Sequence, residues 1–189
     1  MTKAELRRKY KAKRAALSKQ EYTRRNENIF AHFRRYFPIT QPTTVHCYLS
    51  SEEKREASTD LIIIYLLEQP QVQVVVSRSQ SDGTLTHYRF THRTNLEINQ
   101  WGIREPSASE TLVTVQELDQ ILVPLLISDE SGFRVGYGKG YYDRFLPQCR
   151  SDAVKIGLSL EPPISRITDI DQYDIPLDYL ITPAEVFSY

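Results

Sequence analysis

The chain has 189 residues, 40% of them hydrophobic, enough to bury one core and consistent with a single domain over residues 1–189. Its longest apolar stretch, Leu61 to Leu67, falls far short of the ~20 residues needed to cross a bilayer. No hydrophobic signal region opens the chain, and Cys47 and Cys149 form neither a C-x-x-C pair nor a disulfide framework, so no membrane-spanning helix is expected and the expected address is the cytoplasm, with reduced thiols.

Thr2 is placed to cap a first helix running to about Leu17, with Leu6, Tyr10 and Leu17 on one face. Ser18-Lys-Gln-Glu21 reads as a capping box for a second helix that carries Ile29, Phe30, Phe33 and Phe37 before Pro38 stops it. Thr43 to Leu49 is a predicted strand. Ser58 is expected to cap a helix through about Gln69, and Val72 to Val76 reads as a buried strand. Ser81-Asp82-Gly83 signals a turn that sends out a strand over Thr84 to Phe90. Residues 92–118 are polar and weakly patterned, which suits a surface excursion better than a domain boundary. Ile121 to Ile127, Ala153 to Leu160 and Leu177 to Ile181 supply further short strands. Strands alternating with helices predict an α/β layered fold with a mostly parallel or mixed central sheet flanked by helices.

The formal net charge is zero, but residues 1–35 hold twelve Lys or Arg against three Glu. The favoured reading gives the first two helices basic faces that lie against an acidic surface elsewhere. A nucleic-acid-binding arm is the alternative, and it lacks a recognisable reading module.

Gly136, Gly138 and Gly140 fall at alternate positions in Arg134-Val-Gly-Tyr-Gly-Lys-Gly-Tyr-Tyr-Asp143-Arg-Phe-Leu. Glycine tolerates positive φ and leaves main-chain N–H groups uncovered, so consecutive amides can converge on an anion such as phosphate. Tyr141 onward reads as the first turn of a helix, whose free N–H groups add to that attraction. Arg134 and Lys139 bracket the loop with positive charge, and Asp143 suits a magnesium ion carried by nucleotide phosphates. A tight turn before an amphipathic helix is the plainer alternative. No Ser or Thr follows Lys139, which excludes a Walker A loop, and the glycine spacing differs from the dinucleotide fingerprint.

Gly132 through Leu146 resembles the signature of the 5-formyltetrahydrofolate cyclo-ligase family, also called methenyltetrahydrofolate synthetases. Lys3-Ala-Glu-Leu-Arg7, Glu56-Ala-Ser-Thr59, Gly102-Ile-Arg-Glu105-Pro106, Asp119 to Pro124 and Asp174 to Thr182 match in the same order, so the resemblance covers nearly the whole chain. It implies an enzyme of folate and one-carbon metabolism. ATP and Mg2+ would serve to phosphorylate the formyl oxygen of 5-formyltetrahydrofolate and close the ring to 5,10-methenyltetrahydrofolate. Carried over residue by residue, it places Lys3, Arg7 and the run Arg134, Val135, Gly136, Tyr137, Gly138, Lys139, Gly140, Tyr141 and Tyr142 at ATP. Arg134, Lys139 and Tyr141 take catalytic roles. Leu49, Glu56, Tyr137 and Tyr141 face the folate, and Asp143 and Asp174 hold the metal. The expected partner is a small-molecule reduced folate, with no nucleic acid and no membrane, and the expected state is a monomer. His32, His46, His87 and His92 show no metal spacing and stay unassigned.

The chain departs from the pattern at Tyr137, where some relatives have arginine, at Leu125 in place of a glycine, and at Ser77-Arg78, where Pro-Arg is common. These changes leave the phosphate loop intact and bear on the folate-facing wall. Two other readings stay open at this stage: another ATP-dependent kinase or ligase on the same scaffold, and a folate- or nucleic-acid-binding protein with little catalysis.

Overall fold

A computed structural model describes residues 1–189. The first helix, α1, runs Lys3–Ala15, with Thr2 and Glu5 forming a reciprocal capping box. α2 spans Lys19–Tyr36. The Ser18 hydroxyl caps it by accepting from the Glu21 N–H, but the Glu21 carboxylate turns to Arg24 and Arg25, so the expected box is only half made. α3 is Asp60–Leu67, shorter than expected at both ends. Thr59 occupies its cap position, where its hydroxyl donates to the Tyr48 carbonyl, and Ser58 accepts from the Asp60 N–H instead.

The main sheet is built from β1 (Thr43–His46), β2 (Val72–Ser79), β3 (Leu85–Phe90), β6 (Gln120–Pro124), β9 (Val154–Leu158), β10 (Tyr179–Ile181) and β11 (Val186–Ser188). Their order is β11-β10-β9-β6-β1-β2-β3. The strands from β10 to β2 are parallel, and the outer pairs β2–β3 and β10–β11 are antiparallel, so the predicted mixed sheet is observed. A hairpin of β4 (Leu96–Ile98) and β5 (Arg104–Pro106) stands apart in the segment the sequence left unpatterned. β7 (Ile127–Ser128) and β8 (Arg134–Val135) form a second small pair, so the single strand expected over 121–127 is in fact broken at Leu125. α4, Tyr141–Phe145, has five residues and passes into a 3-10 turn at Leu146–Gln148, because Pro147 lacks the N–H that would continue it.

Alternation along the central strands explains the layering. Val74, Val76 and Leu122 face a core with Ile29 and Phe33 of α2 and Ile62 and Leu66 of α3. Val75, Ile121 and Val123 face the opposite core with Phe145, Leu146 and Leu177. Both faces are covered, as parallel strands require. A third cluster fastens α1 to the β7–β8 pair through Leu6, Tyr10, Ile127 and Val135.

Both margins of the sheet are closed off. Beside β3, the 111–113 segment adds two main-chain bonds, Arg89 N–H to Thr111 O and Val113 N–H to His87 O. The opposite margin is the three-residue β11. β1 has β2 on one side and β6 on the other, the point where connections leave in opposite directions, and a crevice opens there at the carboxyl ends of the strands.

Candidate active site

A cavity of about 780 Å³ occupies that crevice. Tyr48 and Leu49 follow β1 into it, Ser77 and Ser79 come from the end of β2, and Pro124 closes β6. The segment from Gly136 to Asp143 forms one wall. No N–H in that segment donates a hydrogen bond to the protein, while the carbonyls of Gly136 and Lys139 are occupied by Arg7 and Arg144. Gly138 and Gly140 have φ of 88° and 70°, which turns successive amides outward at no steric cost. The loop is therefore a set of free donors aimed at a concave space, the arrangement that receives an anion.

The other charged residues converge on the same wall. Arg134 is buried, and its guanidinium donates to Asp143 at 2.5 Å and to the Ile175 carbonyl. Burial lowers its pKa, and Asp143 works against that shift. Lys3 Nζ binds the Asp174 carboxylate and lies 3.7 Å from Asp171. Arg7 Nε donates to Gly136 O at 2.9 Å. Lys3 and Arg7 thus tie α1 to the 171–174 turn and to the loop, and both line the cavity. Lys139 stands exposed at the mouth, its ammonium 5.9 Å from the centre of the Trp101 ring.

Beside the loop the lining is aromatic and acidic. Glu56 is buried, and one carboxylate oxygen accepts from the Ser51 N–H at 2.8 Å. Burial, and after it the Glu56 charge, pushes the phenols of Tyr137 and Tyr142 well above their usual range. Leu49, Tyr141 and Tyr142 complete this lining.

Of the residues expected at the site, Lys3, Arg7, Leu49, Glu56, Arg134, Asp143, Asp174 and every residue from Gly136 to Tyr142 line the cavity. Val135 does not. Its side chain is buried with Leu6 and Leu126, and its carbonyl accepts from Leu126 N–H in the β7–β8 pair.

The structure adds residues that the sequence reading passed over. Lys11 and Arg14 extend the Lys3–Arg7 stripe along one face of α1, a spacing already visible in the sequence. Arg14 is buried, donates to the Leu125 carbonyl and to the Tyr137 hydroxyl, and leaves Nε without a partner. Trp101, Glu105 and Ser79 arrive from the β4–β5 hairpin and β2, where only the fold brings them together, and they join Ser77, already marked in the sequence as a departure on the folate-facing wall.

Known proteins share this architecture. A Caenorhabditis elegans protein described as a probable 5-formyltetrahydrofolate cyclo-ligase is 30% identical over 99% of this chain and 95% of its own length. The Escherichia coli 5-formyltetrahydrofolate cyclo-ligase is 26% identical over 94% of this chain and 98% of its own. The NMR structure of Aquifex aeolicus 5,10-methenyltetrahydrofolate synthetase superimposes with a TM-score of 0.84 at 28% identity, covering 100% of this chain and 93% of that one. With the family profile matching residues 1–183, this chain belongs to the 5-formyltetrahydrofolate cyclo-ligase family.

Proposed function

We propose that this chain uses ATP to convert 5-formyltetrahydrofolate into 5,10-methenyltetrahydrofolate, releasing ADP and phosphate. The observation that carries this reading is the run of unbonded amides from Gly136 to Asp143, which together with Glu56 lines one cavity of ligand-site size. A formamide carbon is a weak electrophile and its oxygen a poor leaving group. Transfer of a phosphoryl group to that oxygen corrects both faults. The neighbouring folate nitrogen then attacks the carbon, and phosphate departs as the ring closes.

Phosphoryl transfer is mostly positioning and charge stabilisation, so the chain needs no nucleophile of its own. The loop amides, with Lys3, Arg7 and Lys139, bind the triphosphate. Arg134 sits behind them, its charge held by Asp143, and Tyr141 lines the space where the formyl group meets the phosphate. Glu56 accepts hydrogen bonds from the pterin N–H groups, and Leu49 and Tyr137 flank the ring.

Asp143 and Asp174, here paired with Arg134 and Lys3, would hold a magnesium ion by exchanging those partners for it, which would also release Lys3 to the phosphates. The chain contains no cluster of three or more potential ligands, and this cation takes one or two carboxylates while water and phosphate supply the rest. Bound there, it would neutralise phosphate charge. No helix is long and apolar enough to cross a membrane. Several cations of the basic segment are paired within the chain, Lys3 with Asp174 and Lys13 and Arg25 with Glu161, which leaves that segment less free charge for a nucleic acid and supports a small-molecule partner.

The test is spectrophotometric, because methenyltetrahydrofolate absorbs at longer wavelength than the 5-formyl compound. The expected result is an absorbance rise that requires both ATP and magnesium. ATP hydrolysis with another acceptor and no such rise would favour a different kinase or ligase on this scaffold.

A further inference from the structure

Two buried histidines meet at one serine beside the cavity. Ser77 Oγ lies 2.6 Å from His46 Nε2 and 2.9 Å from His87 Nδ1, and Ser77 itself lines the cavity. Both rings are packed in place. Phenylalanine 145 sits 5.1 Å from the His46 ring centre and 4.3 Å from that of His87, and Tyr142 lies 6.0 Å from His46. Burial holds both imidazoles neutral.

A hydroxyl has one proton and two lone pairs, and a neutral imidazole donates at one nitrogen and accepts at the other. His46 Nδ1 has no partner and is buried. A proton there would be stranded, so the ring carries it on Nε2 and donates to Ser77. The arrangement that wastes no proton then runs His46 Nε2–H to Ser77 Oγ–H to His87 Nδ1, each bond reinforcing the next. Only a lone pair of Ser77 is left for the cavity.

Its neighbours have the same polarity. Ser79 directs both its N–H and its hydroxyl to Glu105 Oε1, at 3.0 and 2.5 Å, so its proton is also spent. The other oxygen of Glu105 has no protein donor, and an ionised carboxylate only accepts.

We infer that Ser77, held in an accepting polarity by His46 and His87, forms with Ser79 and Glu105 a hydrogen-bond-accepting wall that binds the N–H edge of the reduced folate's aminopyrimidinone ring. This rests on the cyclo-ligase reading and extends its folate side beyond Glu56.

Two measurements on the full chain test the inference. Nitrogen-15 NMR of labelled histidine at neutral pH should show His46 and His87 both protonated on Nε2. A proton on His87 Nδ1 would free the serine to donate and would overturn the assignment. Calorimetry without ATP should show Ser77→Ala binding 5-formyltetrahydrofolate about tenfold more weakly, the worth of one hydrogen bond, with nucleotide affinity within about twofold and Ser77→Thr close to wild type. Unchanged folate affinity in Ser77→Ala, or equal losses for both ligands, would end the proposal. A wild-type protein that binds the folate yet yields no methenyl product would defeat the cyclo-ligase reading and leave the wall standing.

Discussion

Arg134 is 8% exposed, and its charge survives there because Asp143 and the Ile175 carbonyl accept its hydrogen bonds. Removing the carboxylate charge while keeping its shape separates two effects. Asp143→Asn should cost about 1 kcal/mol of stability, since the aspartate side is partly exposed, and lower the melting temperature by roughly 2–4 °C. Turnover at limiting magnesium should fall at least about tenfold, and unchanged turnover there would remove Asp143 from the metal role. The histidines give a second prediction at this scale. Burial lowers the His87 pKa from 6.5 to about 4. Between those values the unfolded chain binds a proton that the folded chain refuses, so stability is full above pH 6.5 and declines as pH falls. The loss from His87 alone is about 2 kcal/mol by pH ~5, with His46 adding in the same direction. Urea titrations across that range should show it, and His87→Phe should flatten the slope.

At the scale of elements, the glycine loop and α1 act as one unit. Gly138 has φ of 88°, and a Cβ built there would lie 3.1 Å from Arg7 Cζ. Gly138→Ala should therefore disturb both the loop and the α1 arginine, costing about 1–3 kcal/mol in backbone strain and raising the KM for ATP well above its effect on the KM for folate. Leu6 is fully buried beneath α1. Leu6→Ala should cost about 2–5 kcal/mol and, by loosening the helix that carries Lys3 and Arg7, weaken nucleotide binding in fluorescence titrations. A variant with lowered stability and unaltered nucleotide affinity would show that α1 serves only the core. The loop was legible in the sequence because its information is local: alternate glycines, flanking cations and a carboxylate all sit within ten residues. Arg14 was less so, since a charge on a basic helix looks solvated until Tyr137 and Leu125 are seen beside it. Ser77, His46 and His87 lie on three strands, and only their pairing in the sheet brings them together.

For the whole molecule, the α/β class followed from the order of strands and helices, and the apolar runs at Val72–Val76 and Ile121–Val123 marked two strands buried on both faces. The β4–β5 hairpin was missed because its outer strand, Leu96–Ile98, is exposed throughout and has no buried face to impose a pattern. β11 was missed because three residues give no measurable period. These short, peripheral pieces nonetheless decide how the molecule meets others of its kind. A sheet grows by recruiting a foreign strand along an unpaired flank. Here one flank is already bonded to residues 111–113 and the other is a stub too short to template a ribbon. The main sheet therefore gives fibril-like stacking of native copies no starting point, and its clumping on heating must wait until these fastenings come apart.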